Sequence, residues 1–167
     1  EFTSAQTIGA ALAWLLERQV DVVNISLAGP RNAVLDALVH RAAVRGTVIV
    51  AAAGNGGPTS PPAYPAALPD VVAVTAVDSA RRIYRYANRG AYVRLATYGV
   101  RVQVPLGERG TVQFTGTSYA APRIAARIAA CIATGAAAQS CIQRLERSAE
   151  DLGGAGRDDI YGFGMIE

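Results

Sequence analysis

A chain of 167 residues can bury a sizeable core, and 51% hydrophobic against 17% charged residues is not the composition of a disordered protein. No apolar run approaches the roughly 18 residues of a membrane span, and no basic-then-apolar leader opens the sequence. The net charge is +3 and all 16 basic residues are arginine, scattered along the chain with only Arg81 and Arg82 adjacent, which argues against a nucleic-acid partner.

Glu1 and Phe2 run straight into a helical pattern, as a start in mid-domain would. Between Thr7 and Gln19, Ile8, Leu12, Leu15 and Leu16 recur at helical spacing. The β-branched run Asp21 to Leu27 predicts a strand, closed by Ala28-Gly29-Pro30. Asn32 can cap a second helix with Leu35, Leu38, Val39 and Ala42 on its buried stripe, and Gly46 ends it. Thr47 to Ala53 is apolar on both faces, as in a parallel sheet covered by helices.

A Gly-, Pro- and Ser-rich loop over 54–62 precedes a strand at Val71 to Val77 and another at Tyr92 to Ala96. Val100 to Val104 and Thr111 to Phe114 predict a hairpin around Gly107 to Gly110. An alanine-rich helix runs from about Ser118 to Ala133, and a last helix from Ala138 to Glu150. Cys131 and Cys141 could close one short loop in an oxidising compartment or stay as two buried thiols. No repeat or linker divides residues 1–167, so the reading is one α/β domain, a parallel sheet with helices on both faces and right-handed crossovers.

Three segments carry chemistry. In Gly116-Thr117-Ser118-Tyr119-Ala120-Ala121-Pro122 a serine sits at a helix start, where free N–H groups and the helix dipole favour negative charge. Gly116 leaves room for a substrate backbone, and Pro122 falls in the first turn, where its missing N–H does little harm. In Ala51-Ala52-Ala53-Gly54-Asn55-Gly56-Gly57 an asparagine follows a parallel strand, at the end where ligands bind, and can aim its amide outward as a donor. Ser26-Leu27-Ala28-Gly29 ends the preceding strand and offers an edge to an extended peptide. Taken singly, the three read more plainly as a capping serine, a turn asparagine and a strand end.

Taken together and in this order, they resemble the subtilase family of serine proteases. Val22 to Pro30, Val48 to Asn55, Tyr64-Pro65-Ala66, Val71 to Asp78 and Gly116 to Pro122 all resemble family segments, and Tyr161 to Ile166 looks like its last strand. The resemblance implies that Ser118 is the nucleophile, and that the Asn55 amide and the Ser118 N–H bind the oxyanion. It implies that Ser26, Leu27, Ala28 and Gly29 on one side, and Ala52, Ala53 and Gly54 on the other, flank a polypeptide substrate, with Gly116 and Thr117 beside them. Calcium is common in the family, but no ligands are assigned, and no Cys/His cluster suits a transition metal.

A serine needs a base, and the base an orienting acid. The family's Asp-Ser/Thr-Gly and His-Gly-Thr motifs are absent here. His40 is the one histidine; it lies off the buried helical stripe, four residues after Asp36 as an ion-pair partner. Asp21, Asp36, Asp70, Asp78, Asp151, Asp158 and Asp159 sit in unlike contexts. The expectation is therefore a subtilase catalytic domain lacking its N-terminal strands, inactive alone. It would be completed by the missing N-terminal portion, or would form a homo-oligomer through its exposed core. Two departures stand out: Arg123 where the family has histidine, with Arg127 one turn on, and Leu95 to Gly99 in place of Ala-Pro-Gly. The leading reading is a fragment of a secreted or periplasmic endopeptidase; the alternative is a non-catalytic pseudo-protease serving as a binding or structural module.

Overall fold

The computed structural model describes residues 4–107 and 110–167; residues 1–3 and 108–109 lie outside the described residues, and with them the Glu1-Phe2 start and the middle of the hairpin connection expected at Gly107 to Gly110. Helix α1 spans Ala5–Glu17, starting two residues before the predicted Thr7, because the Ser4 hydroxyl caps it by accepting from the Thr7 N–H at 3.1 Å. Strand β1 (Val22–Ile25) follows, then α2 (Ala33–Val44), whose Asn32 cap accepts from the N–H groups of Val34 and Leu35. Gly46 closes that helix at φ +81°, a left-handed conformation that glycine adopts without penalty.

Strands β2 (Val48–Ala52), β3 (Val71–Val77) and β4 (Val93–Tyr98) complete a parallel sheet in the order β1-β2-β3-β4. Alternation along β2 assigns its two faces. Val48, Val50 and Ala52 pack with the helix α3 (Thr117–Ile132), while Ile49 and Ala51 pack with α1 and α2. Helices therefore cover both faces, as the sequence predicts. Ala120, Ala121 and Ala125 on α3 are small enough to bring its axis close to the sheet, with Ile124 and Ile128 wholly buried between. A hairpin of β5 (Val102–Pro105) and β6 (Thr111–Phe114) leads into α3, and α4 (Ala138–Ser148) packs outside it. A disulfide between Cys131 and Cys141 joins these two helices.

Other boundaries differ from the sequence reading. Strand β4 runs on to Tyr98 because the backbone of Gly99 still reaches Val77 across the sheet. The closing segment around Met165 is not a strand in its own right. It lies beside β4 through the N–H groups of Phe163 and Ile166, which donate to Arg94 and Ala96, with Gly162 and Gly164 turning the chain there at positive φ. The arginines are also less scattered than they seemed: between residues 81 and 94, Arg81, Arg82, Arg85, Arg89 and Arg94 alternate with Tyr84, Tyr86 and Tyr92. Carboxylates engage three of them, since Arg81 pairs with Glu150 and Glu167, Arg82 with Asp78 and Arg94 with Glu146. No helix is long and apolar enough to cross a membrane among the described residues.

Candidate active site

The carboxyl ends of β1 and β2 and the N-terminus of α3 meet at one corner of the molecule. Ser26 and Ser118 are 92 positions apart in sequence and bind each other twice. The Ser118 hydroxyl donates to the Ser26 carbonyl at 3.2 Å, and the Ser26 hydroxyl donates to the Ser118 carbonyl at 3.0 Å. The Asn24 amide donates in turn to the Ser26 hydroxyl at 3.0 Å, holding it in that role. Ser118 is half-buried, and its N–H belongs to the first turn of α3, where no carbonyl of the helix can reach it.

Asn55, in the loop after β2, bonds the residue that precedes Ser118. Its Oδ1 accepts from both the N–H (3.0 Å) and the hydroxyl (3.1 Å) of Thr117. Those two bonds fix which end of the amide is which, because an oxygen there accepts both donors and an NH2 would clash with the N–H. The Nδ2 group is thereby turned the other way, past Gly116: a β-carbon at Gly116 would sit 3.3 Å from it. Gly116 has φ +154° and is also backed by Gly99, whose carbonyl accepts from the Gly116 N–H at 2.9 Å. Any β-carbon at Gly99 would meet Ala76 at 2.7 Å and the Gly116 carbonyl at 2.9 Å, so glycine is needed at that close approach.

The predicted substrate-flanking residues divide into two groups. Leu27, Ala28 and Gly29 are exposed, and with Ile8, Leu35 and Tyr64 they line a cleft of about 360 Å³. Gly29 is not a free edge, since its N–H and C=O both pair with Tyr64 at 3.0 Å. Ala52, Ala53 and Gly54 are buried and their polar groups have internal partners. The Ala53 carbonyl accepts from the Tyr92 hydroxyl at 2.8 Å, and the Gly54 N–H donates to the Thr117 hydroxyl at 3.2 Å. Thr117, which the family resemblance sets beside the substrate, is wholly buried, and its N–H and hydroxyl both bond Asn55. Burial raises the pKa of the Tyr92 phenol, so it stays protonated and able to donate.

No base stands beside Ser118 among the described residues, where its hydroxyl bonds only the Ser26 carbonyl. His40 is exposed on α2 and meets Asp70 at 3.2 Å; Asp36, its expected partner, instead pairs with Arg31 at 2.7 Å. The Arg31 guanidinium, five residues away, lies within reach of that carboxylate and out-competes a helical neighbour. Arg123 and Arg127 are exposed. Arg127 donates to the Glu167 carbonyl, and Arg123 lies 6.0 Å over the Tyr98 ring, so neither is stranded in a core. Sequence reasoning missed Asn88 and Tyr92, which join the Asn55 loop through contacts distant in sequence.

The model of the subtilase family matches residues 1–164. Subtilisin E of Bacillus subtilis (strain 168) is 35% identical over 164 residues, covering 93% of this chain and 42% of that protein. The minor extracellular protease Epr of the same strain is 31% identical over 166 residues, and the subtilisin of Bacillus pumilus 35% over 164. The chain spans 26% and 58% of those two relatives. Among solved structures, that of a lanthipeptide protease superposes with a TM-score of 0.87 at 23% identity, covering 98% of this chain and 64% of that one. A psychrophilic protease, S41, gives 0.80 at 26% identity, with 96% and 62% covered.

Proposed function

This chain belongs to the subtilase family, and we propose that it supplies the nucleophile and the oxyanion-binding half of a serine endopeptidase site. The aspartate and histidine come from polypeptide outside this chain, in keeping with the partial length of the relatives that it spans. The observation that carries the reading is the locked Asn55 amide. With Oδ1 held by Thr117, the residue before Ser118, Nδ2 is left turned past Gly116 and free to donate. Donors fixed before the reaction need no reorganisation when charge develops, which is what makes them catalytic.

In the completed domain the base takes the Ser118 proton, breaking the resting bond to the Ser26 carbonyl, and Oγ attacks the scissile carbonyl carbon. Its oxygen gains charge between Asn55 Nδ2 and the Ser118 N–H. The base then protonates the departing amine and later activates the water that frees Ser118 from the acyl group. Gly29 pairs with Tyr64, so the extended substrate lies along the opposite side, where Ala28 and the Ser26 carbonyl are turned. Leu27, Ala28 and Gly29 accept an upstream side chain, while Ala52, Ala53 and Gly54 close the pocket by shape alone.

A disulfide and relatives that include an extracellular protease support a secreted or periplasmic setting. No three carboxylate, histidine or cysteine side chains gather among the described residues, and no calcium ligands are assigned. Fluorophosphonate labelling and turnover of a protein substrate test the proposal. The complete polypeptide should label at Ser118, and the isolated chain, without a base, should not label. Ser118→Ala should cut kcat by on the order of 10⁶, a magnitude known from a subtilisin stripped of its nucleophile. A complete polypeptide that neither labels at Ser118 nor turns over the substrate would leave the non-catalytic module as the better reading, and undiminished turnover in Ser118→Ala would remove Ser118 from the nucleophile role.

A further inference from the structure

Asn55 must be held from both sides if its amide is to stay aimed, and the structure shows what holds it. The residues around it are fastened one after another to the segment 86–92. The Ala53 carbonyl accepts from the Tyr92 hydroxyl (2.8 Å), the Gly54 carbonyl from the Asn88 N–H (3.0 Å), and the Gly57 N–H donates to the Tyr86 carbonyl (2.9 Å). The Gly56 N–H donates to the Asn88 side-chain Oδ1 at 2.7 Å. Asn88 therefore grips the peptide groups on both flanks of Asn55, one with its backbone and one with its side chain. Its Nδ2 donates to the Pro61 carbonyl at 3.2 Å, which fixes the amide orientation from the far end of the same loop.

We infer that Asn88 is a positioning residue for Asn55, acting on the oxyanion donor without touching substrate. Asn88 is 3% exposed, and its amide fills the space against Gly54 so closely that a β-carbon there would come within 2.8 Å of it. Gly54 has φ +112°, and the Asn88 N–H anchors that turn. Loss of the side chain frees the Gly56 N–H and opens a void under residues 54–56. Asn55 can then rotate about its backbone while its hold on Thr117 weakens.

The inference rests on the role proposed for Asn55, and a double-mutant cycle in the complete polypeptide separates the two. Asn88→Ala should lower kcat about 10- to 100-fold with KM nearly unchanged, because the lost interaction exists only in the transition state. In an Asn55→Ala background the same substitution should change kcat less than about 3-fold. Asn88→Asp keeps the acceptor for Gly56 and should recover most of the loss. If Asn88→Ala acts equally in both backgrounds, or leaves kcat unchanged, Asn88 is not a positioning residue. If Asn55→Ala itself leaves kcat intact, the oxyanion role falls and the inference with it. Should Asn88→Ala fail to fold, the cycle is run with Asn88→Ser, judged by the same outcomes.

Discussion

The two sides of the sheet differ in how far this chain finishes them. On the β3–β4 side every strand residue of β3 is buried, α3 and α4 are bonded through a disulfide, and the C-terminal segment covers the outer edge of β4. On the β1 side, no strand among the described residues pairs with the outer edge, and a groove of about 260 Å³ lies open between α1 and β1. Ile8, Leu15 and Leu27 line that groove half-buried or exposed, whereas Ile124 and Ile128 opposite are wholly enclosed. The candidate site sits on the seam. Asn55, Thr117 and Ser118 belong to the finished side, with Asn55 and Thr117 joined by two hydrogen bonds, while Ser26 to Gly29 lead out to the unfinished one. Under the proposed function, an oxyanion donor preformed without its base is what such a division would produce.

Truncations on the two sides measure that asymmetry directly. Ile124→Ala should destabilise the chain by about 2–5 kcal/mol, since the lost side chain leaves a void that packed neighbours cannot fill. Ile8→Ala should cost below about 1 kcal/mol in the isolated chain, because its surroundings are already open to water. Denaturant melts of both variants decide it. Equal costs would mean that the groove is covered in solution by self-association, and the Ile8→Ala cost should then depend on protein concentration. In the complete polypeptide the Ile8→Ala cost should rise towards that of Ile124→Ala.

The same asymmetry governs what could be read from the sequence. Strand β2 was legible as an unbroken apolar run, and β3 as one interrupted only by Thr75, because both of their faces are covered, and α2 because Asn32 and Gly46 mark its ends. The start of α1 was missed because Ser4 caps it ahead of the first apolar residue. The final strand dissolved because its two glycines turn at positive φ. Ser118 and Asn55 stood out by their glycine-flanked, small-residue settings. Asn88 did not, because a grip formed across 32 positions leaves no periodicity. The burial of Thr117 was not legible either: at a helix start, adjacent residues point in different directions, and only the fold says which one is enclosed.

The disulfide is the next lever on the finished side. Cys141 is wholly buried and Cys131 lies in the last turn of α3, so the bridge clamps α4 against the helix that carries Ser118. For so short a loop, replacing both cysteines by alanine should cost roughly 2–3 kcal/mol. Thermal melts with and without a thiol reductant should show the same gap in the native chain and none in the double variant. No shift in either comparison would mean that apolar contacts such as Ile142 secure α4 alone.

The smallest expected effect concerns the turn that closes the C-terminal edge. Burial works against the Asp158 carboxylate, but the N–H groups of Tyr161, Ile160 and Gly154 outweigh it and hold its pKa below the usual carboxylate range. A depressed folded pKa means that the unfolded chain binds the proton first as pH falls. The stabilisation is therefore complete above the ordinary aspartate range and is lost as pH drops through the lower folded value. Asp158→Asn removes that dependence. It should melt lower than the native chain at pH 7, and the gap should narrow steadily below about pH 4. Because the group is largely solvated the shift should be small, a few degrees at most. A gap that stayed constant down to pH 2 would show that Asp158 holds the turn by shape and not by charge.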